Sequence, residues 1–194
     1  IVSRDDLEAF LERVPMDVMV VMDEAYIEFV RDTTCPIGLD YLKADKTVVT
    51  LRTFSKTYGL AGLRIGYGVM KETLANLMHR VRQPFNANLL GQVGALAALD
   101  DDAFLDKTIR TVHKGLAFLY QELDQLGLRC FPTQTNFFLV DLGRPAKEVI
   151  EKMLRSGVIV RPMTAYGYPN YMRITVGLPE DNQRLVEALE KALS

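Results

Sequence analysis

Lys56 lies in the stretch of this sequence with the clearest capacity for covalent chemistry. From Thr53 to Gly68 the chain reads Thr-Phe-Ser-Lys-Thr-Tyr-Gly-Leu-Ala-Gly-Leu-Arg-Ile-Gly-Tyr-Gly. It holds a lone lysine, the hydroxyls of Thr53, Ser55 and Thr57, the flexible pair Gly59 and Gly62, and Arg64. A lysine amine is a nucleophile when deprotonated, and it forms Schiff bases with carbonyls. Hydroxyls, backbone amides and a guanidinium are what a phosphate dianion requires. An amine beside a phosphate cradle points to a phosphorylated aldehyde as the ligand.

The surrounding elements must bring these groups together. Thr47 to Leu51 is an apolar, β-rich run that leads into the lysine stretch, and Leu63 to Met70 is another that leaves it. The link between the strands Val48–Arg52 and Leu63–Met70 holds no full crossover helix, so they are predicted antiparallel. Upstream, Met16–Met22 is short, bounded and almost wholly apolar, the pattern of a buried parallel strand. Asp23, Glu24, Ala25 and Tyr26 stand at its carboxyl end, where open α/β sheets bind ligands. By itself Asp23 fits a turn cap as well as a site residue.

The remaining chain supplies the frame. Ser3 is placed to cap a helix to Val14, with Leu7, Phe10, Leu11 and Val14 on one face. Phe29–Leu42 reads as loop. A helix over Lys71–Val81 carries Leu74, Leu77, Met78 and Val81 on one face, Asn88 caps Leu89–Leu99, and Asp100-Asp101-Asp102 caps the next helix. That helix has the stripe Ile109, Val112, Leu116, Leu119, Leu123 and ends at Gly127. Then follow strands at Arg129–Pro132 and Thr135–Val140, a helix from Pro145 to Arg155, strands at Val158–Arg161 and Tyr171–Val176, and a helix from Pro179. The division expected is residues 1–87 as part of a large mixed, mostly parallel sheet domain, 88–126 as connecting helices, and 127–194 as a small α+β domain. Few strands precede the long helical stretch, and the sequence reads as the later part of a longer chain.

With 48% hydrophobic and 25% charged residues and a net charge of −2, the composition is that of an ordinary globular protein. Such a balance speaks against a nucleic-acid partner held by bulk electrostatics. No apolar run reaches transmembrane length. Cys35 and Cys130 are too far apart in sequence for a paired metal or redox motif, and both are expected to be reduced thiols in a cytoplasmic protein. His79 and His113 have no partner at metal-ligand spacing, so no metal site is expected.

Elimination narrows the chemistry. There is no G-x-x-x-x-G-K-[ST], and Gly66-Tyr67-Gly68 lacks the third glycine of a dinucleotide fingerprint because Lys71 stands there. H-E-x-x-H and G-x-S-x-G are missing too. Asp23 and Tyr26, Thr53, Ser55, Lys56 and Arg64, and the strand residues Arg161 and Arg173 remain. Their physical logic fits pyridoxal 5′-phosphate: Lys56 for the aldehyde, Asp23 for the pyridine nitrogen, Tyr26 for the 3′-oxygen, and Thr53, Ser55 and Arg64 for the phosphate. Released from the aldehyde, the same lysine can act as the base. Arg161 and Arg173 suit a carboxylate or phosphate of substrate, and alternatively cross-strand ion pairs.

Val21-Met22-Asp23-Glu24-Ala25-Tyr26-Ile27-Glu28-Phe29, Thr53-Phe54-Ser55-Lys56, Gly59 to Tyr67, Arg82 to Asn88, Thr135 to Leu139 and Met172 to Gly177 together resemble the fold-type I pyridoxal-phosphate aminotransferases. More narrowly they resemble the histidinol-phosphate aminotransferase subfamily. The resemblance runs over essentially the whole chain, and it implies an α/β fold and the roles just given. It further implies Arg173, and second to it Arg161, as substrate-binding residues, and small amino and keto acids as substrates. It also implies a homodimer with shared active sites. The alternatives are a phospho-amino-acid decarboxylase or an aromatic aminotransferase of the same fold, and, in a different class, a non-catalytic regulatory or interaction domain.

Overall fold

Ser3 caps the first helix as predicted: its Oγ accepts the Asp6 amide at 3.2 Å, and α1 (Arg4–Arg13) follows. Leu7 and Leu11 are buried, but Phe10 is exposed, so the covered stripe is narrower than the apolar spacing suggests. The computed structural model describes residues 1–43 and 46–194.

Two strands follow the expected order. β1 (Met19–Asp23) runs parallel to β2 (Thr47–Thr53), with Val20 opposite Val48 and Asp23 opposite Leu51. β3 (Gly66–Val69) pairs antiparallel with β2, Thr53 opposite Gly66. The sheet order is β1-β2-β3. Val20 and Met22 pack with Leu7, Leu11, Tyr41 and Val48 under α1. On the opposite face Met19 and Val21 are 46% and 52% exposed, so β1 is not the doubly buried strand its apolar run predicts. Among the described residues only one face of this strand is covered. β3 is also shorter than expected, because residues 61–63 form a 3-10 turn and Arg64 adopts a left-handed conformation before the ladder begins.

α2 (Glu72–Val81) is amphipathic, yet none of its residues is buried among the described residues. α3 (Leu89–Leu99) starts at its predicted cap, the Asn88 Oδ1 accepting the Gly91 amide at 2.7 Å. α4 (Asp102–Gln125) is opened by Asp101, whose Oδ1 accepts the Phe104 amide at 3.0 Å. Val112, Leu116, Leu119 and Leu123 form its buried stripe. It ends at Gly127, where φ is +71° and the Leu128 amide reaches back to the Leu123 carbonyl, a glycine-dependent helix stop.

Contacts divide the chain into Ile1–Asp106 and Lys107–Ser194, α4 passing through the boundary. The second unit contains β4 (Arg129–Phe131), β5 (Phe137–Asp141), α5 (Ala146–Arg155), β6 (Arg161–Pro162), β7 (Tyr171–Thr175) and α6 (Pro179–Leu193). Its antiparallel sheet has the order β4-β5-β7-β6. β6 is only two residues long, where a strand from Val158 was expected. Phe138, Val140, Met172 and Ile174 are buried in the sheet. The Tyr120 ring of α4 meets Phe138 edge-on at 5.0 Å. Both cysteines are free thiols. Burial, with the nearby charge of Asp124, pushes the Cys130 thiol up to about 11, so it stays protonated at neutral pH.

Candidate active site

The lysine loop is built from local hydrogen bonds between two paired strand ends. Thr53 Oγ1 accepts the Ser55 amide at 3.1 Å, a turn typical of threonine. The Phe54 amide bonds to the Ile65 carbonyl at 3.2 Å, closing the base of the loop. Phe54 is buried against Tyr58 and Tyr67, with ring centroids 5.0 and 5.7 Å away. Gly59, at φ +71°, bonds to the Lys56 carbonyl at 3.0 Å and turns the chain back. Arg64 then takes φ 54° and ψ 51°, a conformation that side-chain-bearing residues rarely adopt and that often accompanies function.

This geometry sets the predicted residues in two groups. In the first unit Lys56 is exposed, its Nζ 5.1 Å from the centre of the Tyr26 ring. Arg64 Nη1 reaches Ser55 Oγ at 3.5 Å and donates to the Ala61 carbonyl at 2.9 Å. Asp23 ends β1 beside Leu51, two residues before Thr53. Its Oδ1 accepts the Ala25 amide at 3.1 Å, and the side chain is exposed. The expected turn-capping role is thus formed, by a carboxylate that stays at the surface.

In the second unit Arg161 and Arg173 are direct register partners on neighbouring strands. The cross-strand ion pairs expected as an alternative are not formed: among the described residues neither arginine has an acidic partner. Arg173 Nε is buried without a hydrogen-bond partner, and its guanidinium lies 4.7 Å over the Phe137 ring. Arg161 Nη2 donates to the Tyr166 hydroxyl at 2.9 Å. Like charges directly opposite each other destabilise a sheet, and an orphaned buried N–H is costly. Both costs are removed by an anion.

Two polar connections behind the loop escaped the sequence reading. Glu24 is buried; its Oε1 accepts the Gly38 amide, and its Oε2 accepts Arg52 Nε at 2.9 Å and Nη2 at 2.9 Å. Thr57, fully buried next to Lys56, donates to Glu28 Oε2 at 3.2 Å. The only hint was position: each acid lies within two residues of Tyr26.

Burial pushes the Glu28 carboxyl above the ordinary glutamate range, against the opposing pull of its hydrogen bonds and of Arg52. An acid with a raised folded-state pKa contributes stability that is present below its unfolded pKa and is lost as pH rises through the folded one. Glu28→Gln keeps an acceptor for Thr57 but cannot ionise. The urea midpoint of wild type should therefore fall relative to Glu28→Gln as pH rises from below 4.5, the ordinary value, toward neutrality. Parallel curves for the two proteins would show that Glu28 ionises at no cost.

As a donor set, a primary amine over a phenol ring, hydroxyls and backbone amides at a tight turn, and an arginine held across the loop fit a phosphorylated aromatic aldehyde. Among the described residues no group of three His, Cys, Asp or Glu side chains could hold a metal ion, and no helix is long and apolar enough to cross a membrane.

The profile of the aminotransferase class I and II family matches residues 1–189. Histidinol-phosphate aminotransferase 2 of Pseudomonas fluorescens is 48% identical over 190 residues, which are 98% of this chain and 51% of that protein. The crystal structure of histidinol-phosphate aminotransferase from Sinorhizobium meliloti in complex with pyridoxal-5'-phosphate superposes with a TM-score of 0.90 at 27% identity, covering 98% of this chain and 53% of that one. L-threonine-O-3-phosphate decarboxylase from Porphyromonas gingivalis gives 0.83 at 28% identity, covering 100% and 60%. The chain thus spans about half the length of the curated relatives it matches.

Proposed function

This chain belongs to the aminotransferase class I and II family and has the α/β fold of fold-type I, and from that premise we propose that the whole protein is a pyridoxal-phosphate-dependent transaminase. The reaction proposed is histidinol phosphate plus 2-oxoglutarate in exchange with imidazole-acetol phosphate plus glutamate, within histidine biosynthesis in the cytoplasm. The observation that carries the reading is the Lys56 amine placed over the Tyr26 ring on a loop whose other end holds Arg64 against Ser55.

When bound, pyridoxal phosphate supplies a reactive carbonyl carbon and a ring that accepts the electron pair left by a departing proton. Lys56 would hold the group through its amine and would serve as the general base that moves a proton. Asp23 would pair with the ring nitrogen. Tyr26 orients the 3′-oxygen, and Thr53, Ser55 and Arg64 hold the phosphate. Arg173 takes the anionic end of the substrate, with Arg161 beside it, and the orphaned Nε of Arg173 supports that role.

Residues 1–87 are proposed as part of the cofactor-binding domain, 88–126 as connecting helices and 127–194 as the small domain. A homodimer with shared active sites is proposed for the intact protein. The exposed apolar side chains of Leu89, Leu90, Val93 and Leu96 on α3 support an additional covering surface.

The test is a substrate panel on the intact protein. Glutamate should bleach the yellow absorbance of the holoenzyme, and histidinol phosphate should give the fastest amino transfer. The likeness to a phosphothreonine decarboxylase supports the second reading, in which carbon dioxide is released from a phospho-amino acid instead. No yellow colour with cofactor and no borohydride-fixed adduct on Lys56 would leave the non-catalytic domain as the better reading. Arg173→Leu should raise KM for the anionic substrate by about 10- to 100-fold with a smaller change in kcat. It should not lower the melting temperature, because a like-charge pair is relieved.

A further inference from the structure

We propose that Asn88 is a positioning residue that holds Arg64 in its phosphate-binding conformation. The inference rests on the cofactor reading above, and its chain of contacts is short. Asn88 Nδ2 donates to the Leu63 carbonyl at 2.8 Å, while Oδ1 of the same side chain accepts the Gly91 amide at 2.7 Å. One amide thus caps α3 and ties its N-terminus to the lysine loop.

The Leu63 carbonyl belongs to the peptide plane that joins Leu63 to Arg64, and rotation of Arg64 relative to that plane is φ of Arg64. Fixing the carbonyl therefore bears on the φ of 54°. A left-handed residue with a Cβ carries a cost of about 1–2 kcal/mol, so it persists only where its surroundings determine it. α3 supplies those surroundings. A Cβ on Gly91 would lie 3.1 Å from the Leu63 carbonyl oxygen, and one on Gly94 would lie 2.9 Å from Leu63 Cδ1. Two glycines let the helix approach the loop, and Asn88 joins them. Released from that restraint, Arg64 would relax toward ordinary backbone angles. Its guanidinium would then leave Ser55, which it reaches at 3.5 Å.

The helix cap and the loop restraint separate experimentally. Asn88→Ser keeps an N-cap oxygen but is too short to reach Leu63; Asn88→Asp keeps shape and cap but has no N–H to donate. Dissociation constants for pyridoxal phosphate and for pyridoxal, which lacks the phosphate, are measured on the intact protein. Both variants should bind pyridoxal phosphate about tenfold more weakly and pyridoxal as wild type does. Equal weakening toward both compounds would mean a general structural role, and unchanged affinity for pyridoxal phosphate would mean no role; either overturns the inference. If wild type itself binds the two compounds equally, the assignment of Arg64 to a phosphate fails first, and the inference falls with it.

Discussion

Lys56→Ala in the intact protein should lower the rate of amino transfer by about a thousandfold or more, because the proposed roles of the amine are both covalent attachment and general base. Its stability should hardly change. Lys56 is exposed, and its Nζ lies 5.1 Å from the centre of the Tyr26 ring, an interaction of about 0.5–1 kcal/mol at an exposed position. Lys56→Arg is the informative control. It retains a cation over Tyr26 but does not deprotonate, and should be as inactive as the alanine variant. Borohydride reduction followed by mass measurement should attach the cofactor to Lys56 in wild type and to no residue in either variant. Activity of Lys56→Arg within tenfold of wild type would falsify the assignment, since charge alone would then account for the residue.

The second large effect is on stability. Glu24→Ala should destabilise the protein by about 3 kcal/mol, the scale at which removing one partner leaves a buried charge unpaired. For a domain of this size that is a fall of roughly 6–12 °C in melting temperature. Arg52 is mostly buried, and the Gly38 amide would lose its acceptor at the same time. Glu24→Gln keeps the side chain's shape and one oxygen acceptor, enough for Arg52 or for the Gly38 amide but not for both, so its cost should be smaller than that of alanine, about 2 kcal/mol. Thermal scans of the three proteins decide the matter. If the alanine variant melts within a degree of wild type, Arg52 finds water when its partner is gone, and the pair is only a surface bridge.

Those two residues mark where the sequence stopped being legible. The lysine loop could be read because its grammar is local: hydroxyls, glycines, one lysine and one arginine between two β-rich runs. The antiparallel return of β3 followed from the shortness of the link. Caps at Ser3, Asn88 and Asp101 were readable for the same reason, since each acts within three residues of itself. The Glu24–Arg52 pair and the Thr57–Glu28 bond join positions 28 and 29 residues apart, and residue type alone does not reveal such partners. Apolar patterning likewise shows which face of an element is greasy, not what covers it. Hence Met19 and Val21 on β1, and Leu77, Met78 and Val81 on α2, read as core but stand exposed. The arginines read as candidate anion binders or as halves of cross-strand ion pairs, and the ion pairs failed for a reason only strand register supplies: each faces the other.

The closure of the lysine loop has a dynamic consequence. Thr53 pairs with Gly66, and Phe54 bonds to Ile65, so Lys56 and Arg64 lie on one closed segment. Proteins open locally in cooperative stretches whose free energies differ from region to region. Fraying of the β2–β3 ladder would loosen the proposed covalent anchor and the proposed phosphate anchor in the same event. The two proposed holds on the cofactor would thus share one opening equilibrium, and the stability of a four-residue ladder would limit how long both remain in place.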